Sequence, residues 1–86
     1  MRLYWRKDEI EDVFLGSYDN WTKLRKAMWK FFKTNYIKSY YQRYWEDDGK
    51  IWVDYGSHTQ FLYITDYTPE QFAEMISGGT NEDNNN

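Results

Sequence analysis

YIKSYYQRYWEDDGKIWVDYGSHTQFLYIT, residues 36–65, is rich in Tyr, Trp and β-branched residues and is broken twice by turn signals. Asp48-Gly49 is a strong hairpin signal, because such a turn needs positive φ that Asp and Gly tolerate. Gly56-Ser57-His58-Thr59 supplies the second turn. The pattern predicts strands near Tyr36 to Trp45, Lys50 to Tyr55 and Gln60 to Thr65, an antiparallel meander. Side chains alternate along a strand. Ile37, Ser39, Tyr41, Arg43 and Trp45 therefore share one side of the first strand, and Tyr36, Lys38, Tyr40, Gln42 and Tyr44 the other. In the next strand Ile51, Val53 and Tyr55 oppose Lys50, Trp52 and Asp54. With the Ile/Val side as core, Tyr36, Tyr40, Tyr44 and Trp52 are expected to form an outward aromatic row edged by Lys38.

Working outward, Leu3 to Arg6 and Asp12 to Gly16 are short β-prone stretches joined by the acidic run Asp8-Glu9-Ile10-Glu11-Asp12. Asp19 offers a cap, and Trp21, Leu24, Met28, Phe31 and Phe32 recur at helical spacing, predicting a helix from Asn20 to Thr34. Lys23, Lys26, Lys30 and Lys33 fall on its opposite face, with Trp29 at the border. Thr68-Pro69-Glu70-Gln71 is a helix start with a cap hydroxyl, Pro at the first position and Gln at the third. Phe72, Met75 and Ile76 then share a face, and Gly78-Gly79 is expected to stop the helix. The order β-β-α-β-β-β-α predicts an α+β two-layer sandwich, two helices on an antiparallel sheet whose other face is open. One domain over residues 1–77 and a disordered polar tail over 78–86 are expected.

The chain has 86 residues, of which 22% are aromatic, and a net charge of −3. That net hides three blocks: −2 over residues 1–19, an acid-free +7 over 20–45, and −8 over 46–86. The middle block also holds nine of the nineteen aromatics. With no cysteine, disulfides, thiolate metal sites and cysteine nucleophiles are excluded. No apolar run approaches the roughly 18 residues of a membrane span, and the first residues lack the apolar stretch of a signal peptide. A cytoplasmic protein without membrane contact is expected.

Catalytic groups are scarce. His58 is the only imidazole, with no His or Cys to share a metal. Ser57 lacks the Gly-x-Ser-x-Gly setting of an exposed nucleophile. The acidic runs lack the alternating ligand pattern of a calcium loop, and Gly78-Gly79 follows a helix where a phosphate loop would precede one. The expectation is a non-enzymatic binding module with no cofactor or metal. Its candidate aromatic surface is Trp29, Tyr36, Tyr40, Tyr44 and Trp52, and its candidate basic face is Lys23, Lys26, Lys30, Lys33 and Lys38. Tyr, Trp and Arg anchor protein interfaces, so a protein partner is preferred. Single-stranded nucleic acid is the alternative, since bases stack on rings and phosphates meet cations such as Lys38 and Arg43. Against it, the helix lysines and the open sheet face lie on opposite sides of a two-layer fold. Homodimerisation through sheet faces or edges is a third reading.

Val13-Phe14-Leu15-Gly16-Ser17-Tyr18-Asp19 before an amphipathic helix, and the aromatic β region ending Phe61-Leu62-Tyr63-Ile64-Thr65-Asp66, resemble short accessory proteins of phages and prophages of low-GC Gram-positive bacteria. The resemblance implies a small intracellular protein that modulates or blocks a host or phage machine, such as a nucleic-acid machine, with anti-CRISPR-type inhibition among the modes. It carries no functional residue onto this chain.

Overall fold

Strand β1 (Arg2–Arg6) lies second from one edge of the sheet and joins two antiparallel units. On one side it pairs with β2 (Asp12–Ser17), and on the other with β5 (Phe61–Thr65). β5 pairs in turn with β4 (Lys50–Asp54), and β4 with β3 (Arg43–Asp47). The resulting sheet order is β2-β1-β5-β4-β3. Helix α1 (Trp21–Thr34) connects β2 to β3, and α2 (Pro69–Asn84) follows β5, giving the expected β-β-α-β-β-β-α order. These elements come from a computed structural model that describes residues 1–39 and 41–84.

Alternation sends Leu3, Ile51, Val53, Leu62 and Ile64 to the inner face, where all are fully buried. Trp21, Leu24, Met28 and Phe32 of α1, together with Met75 of α2, complete one core cluster with them. Trp21 Nε1 is buried there without a hydrogen-bond partner among the described residues. Its ring meets that of Tyr44 edge-on, centroids 5.6 Å apart.

The helix ends follow local chemistry. Asn20, and not the expected Asp19, caps α1 by accepting from the Lys23 N–H at 2.9 Å. Asp19 instead pairs with Lys23 Nζ one turn away. At the other end the Ile37 N–H donates to Phe32 O and the Tyr36 N–H to Lys33 O. This is the doubly bonded Schellman stop, which needs a left-handed residue, and Tyr36 occupies that position at φ 57°. α2 starts on the expected reciprocal cap: Gln71 N–H to Thr68 Oγ1, and Thr68 N–H to Gln71 Oε1. It continues through Gly78-Gly79, where a stop was expected, to Asn84. Glycine accepts helical dihedrals at a cost of about 1 kcal/mol, so the pair weakens a helix without obliging it to end.

The first strand of the meander is shorter than expected. Residues 36–42 contribute no strand among the described residues, and β3 begins at Arg43. The left-handed Tyr36 diverts the chain on leaving α1. Ser39 Oγ donates to Tyr41 O, a carbonyl that a ladder would use, and accepts from Gln42 Nε2.

Candidate binding site

Both helices contribute to the core on the inner face, so the outer face of the sheet carries the remaining half of every strand. Its cross-strand register is continuous: Trp45 opposite Trp52, Trp52 opposite Tyr63, Tyr63 opposite Tyr4, and Tyr4 opposite Phe14. One aromatic residue from each of the five strands thus forms a row across the whole sheet. Tyr4 and Tyr63 stack with centroids 4.9 Å apart, Tyr63 and Trp52 are 5.1 Å apart, and Tyr4 and Phe14 are 5.3 Å apart. Phe61 stands nearly perpendicular to both Trp45 and Trp52, at 6.2 and 6.3 Å. Such edge-to-face contacts hold rings in place while leaving a face free.

At the Phe61 end these rings line a cleft of about 590 Å³, with Arg6, Asp8 and His58 on its border. The Asp8 carboxylate accepts the Ile10 and Glu11 N–H groups, which shapes the β1–β2 loop and holds its pKa below the usual range. The Arg6 guanidinium lies 5.3 Å from the centroid of Trp52 and 5.6 Å from that of Tyr63. It also grips Asp12 through both carboxylate oxygens. That bond keeps the Asp12 carboxyl charged and its pKa lowered.

The arginines of this face are answered within the fold. Arg6 is held by Asp12, Arg43 reaches Asp54 at 2.6 Å, and Arg2 pairs with Asp66 at 3.3 Å. Asp54 is only 8% exposed and also accepts the Gly56 N–H. Arg43 is the larger cause of its lowered pKa.

Among the aromatic residues singled out from sequence, Trp52 lies on the outer face as expected. Tyr44 does not: it sits opposite Val53, packs against the core and stands edge-on to Trp21. Burial pushes its phenol up to about 12. Tyr36 is 95% exposed but sits at the end of α1, off the sheet. Tyr40 lies outside the described residues. Trp29 is 41% exposed on α1, with its ring edge-on to the buried Phe32. Lys23, Lys26, Lys30 and Lys33 are exposed on α1, and Lys38 is exposed in the connector. Because α1 buries Trp21, Leu24, Met28 and Phe32 against the sheet, its lysines face away from the aromatic row.

Trp45, Phe61, Tyr63, Tyr4, Phe14 and Arg6 were missed. The signal for Trp45 was available: a two-residue Asp48-Gly49 turn places residue 47 opposite 50, hence 45 opposite 52. The Phe-Leu-Tyr-Ile alternation of 61–64 likewise separates Phe61 and Tyr63 from the apolar pair.

Among the described residues no group of three or more His, Asp or Glu side chains is placed to hold a metal ion, and no helix is long and apolar enough to cross a membrane. Compared with known proteins, the chain matches no family model, no curated protein and no solved structure.

Proposed function

We propose that this chain is a small binding module that docks a segment of a protein partner on the outer face of its sheet, with Trp45, Trp52 and Phe61 as anchors. The observation that carries the reading is the five-strand aromatic row ending in the Trp45–Trp52–Phe61 cleft. Aromatic and Arg side chains concentrate binding energy because they bury large areas while losing few rotamers. Here the rings are already held by one another and by Arg6, so little ordering is lost on association. The module would act as an accessory protein of the kind its sequence resembles, modulating or blocking its partner by occupying a surface, without chemistry of its own.

The electrostatics favour protein over single-stranded nucleic acid. A polyanion needs cations beside the stacking rings, whereas Arg2, Arg6 and Arg43 are engaged by Asp66, Asp12 and Asp54, and Lys50 beside Tyr63 and Lys7 at the cleft share their surroundings with Asp12, Asp8 and Glu9. The lysines of α1 lie on the other side of the fold.

Selection from a displayed peptide library, followed by NMR titration of the best binder, tests the reading. Shifts should centre on the indoles of Trp45 and Trp52, and Trp52→Ala should weaken binding by at least about tenfold with the fold intact. Binding that maps to α1, or tighter and salt-sensitive binding of a short single-stranded DNA, would overturn it.

A further inference from the structure

The sheet has two edges, and only one of them has an irregular ladder. Register shifts between Leu3 and Tyr4 along the β1–β2 ladder, an irregularity of the kind that discourages edge pairing. β3 pairs with β4 in unbroken register over all five of its residues, and among the described residues no strand lies beyond it. Its sequence, Arg43-Tyr44-Trp45-Glu46-Asp47, contains no Pro, and its charges are of both signs, so they repel an ill-matched strand and suit one of complementary order.

The turn fixes which backbone groups point outward. Asp48 and Gly49 both have positive φ, and a two-residue turn of this kind closes on a hydrogen-bonded pair, Asp47 with Lys50. Hydrogen-bonded and non-hydrogen-bonded pairs alternate in an antiparallel ladder. Trp45 and Arg43 therefore bond to β4, while Tyr44 and Glu46 turn their N–H and C=O groups to the open edge.

The outer-face side chains of β3 read cation, aromatic, anion: Arg43, Trp45, Asp47. Such an order complements itself when reversed. We propose that β3 pairs antiparallel with β3 of a second copy of this chain, about a two-fold axis at Trp45. In that register Tyr44 faces Glu46 of the second copy and the reverse, and each pair exchanges two backbone hydrogen bonds. Arg43 faces Asp47 of the second copy, between its own cross-strand partner Asp54 and Lys50 beyond. The row across the joined sheets is then Asp54, Arg43, Asp47, Lys50, alternating in sign throughout. The two Trp45 rings meet at the axis and join the aromatic rows of both copies into one ten-strand face. A register centred on Glu46 would instead set two carboxylates against each other, which is unfavourable. This dimer does not rest on the partner reading above, and its test reads only self-association.

A chain without cysteine permits a clean experiment. Residues across a non-hydrogen-bonded antiparallel pair have Cα atoms about 4.5 Å apart, within disulfide range. Trp45→Cys should therefore be trapped as a covalent dimer by oxidised glutathione at least about tenfold faster than Trp29→Cys, whose thiol sits on α1. By sedimentation the unmodified chain should be mainly dimeric at about 1 mM, as a short edge contact implies. Asp47→Arg, which sets Arg against Arg43, should raise the dissociation constant by at least about tenfold at low salt while leaving the circular dichroism unchanged. A monomer at about 1 mM overturns the proposal. So does a dimer in which Trp45→Cys crosslinks no faster than Trp29→Cys.

Discussion

The phenol of Tyr63 donates a 2.8 Å hydrogen bond to Asp12 Oδ2, two strands away on the face opposite the core. Tyr63 is nonetheless only 6% exposed. Tyr4 stacks on it, Trp52 and the Arg6 guanidinium lie against it, and Lys50 Nζ approaches to 5.7 Å. The outer face is thus a thin packed layer pinned by one carboxylate that holds both Arg6 and Tyr63. Tyr63→Phe keeps the ring and removes the bond. It should cost about 1 kcal/mol, the usual net worth of such a bond at a partly exposed acceptor, read by urea denaturation at pH 7.

The same tyrosine gives an alkaline signature. Loss of solvent, reinforced by the bond to Asp12, pushes its phenol up to about 12. A folded-state pKa raised above the unfolded value of about 10 contributes stability that is complete below pH 10 and is lost as pH rises toward 12. Unfolding midpoints should therefore fall between these pH values. Tyr63→Phe should flatten part of that fall, leaving the share of Tyr44 and Tyr67, which are also raised to about 12. An unchanged slope would show that the Tyr63 proton is not held as described.

At the acid end the sign reverses. Asp12 and Asp54 are held below the usual carboxyl range, first by their side-chain bonds to Arg6 and Arg43. A lowered folded pKa contributes stability that is complete above the ordinary value of about 3.9 and is lost as pH falls through the folded one. Stability should be flat from pH 7 to about 5 and then decline steeply below 4. Asp54→Asn should make that decline shallower in urea titrations at pH 3 and pH 7. It should also lower stability at pH 7, because Arg43 loses its charged partner.

Tyr36 offers a gain in stability. It holds the left-handed position of the Schellman stop at φ 57°, where a Cβ is unfavourable, and its side chain is 95% exposed. Tyr36→Gly relieves that strain and removes almost no packing. It should stabilise the chain by about 0.5–1 kcal/mol in the urea midpoint, the offset being the greater freedom of glycine in the unfolded chain.

What could be read from sequence divides along the length scale of the signal. α1 was legible because Trp21, Leu24, Met28 and Phe32 repeat at helical spacing and all four are buried. The outward placement of Trp52 was legible because its neighbours Ile51 and Val53 mark the inner side. Tyr44 was misplaced because the alternation of residues 36–45 was phased on its own, without the hairpin that ties it to β4. Counting back from Asp48-Gly49 sets Tyr44 opposite Val53, on the core side. The row of Phe14, Tyr4 and Tyr63 was not legible, since it depends on β1 joining β5, a pairing between residues some sixty positions apart in sequence. No local pattern specifies such a contact. The cleft that Arg6 and Phe61 share depends on the same pairing.

That two-residue turn is itself testable. Gly49 sits at φ 71° with nothing near the position a Cβ would take. Gly49→Ala therefore meets no steric neighbour, and any cost must come from the backbone. It should destabilise by about 1 kcal/mol, whereas Gly49→Asn, which tolerates the left-handed region better, should cost less. Urea denaturation of the two variants separates them. Equal and negligible costs would mean that the turn does not hold this conformation. The pairing of Trp45 with Trp52, and with it the aromatic cleft, would then lack the constraint that sets its register.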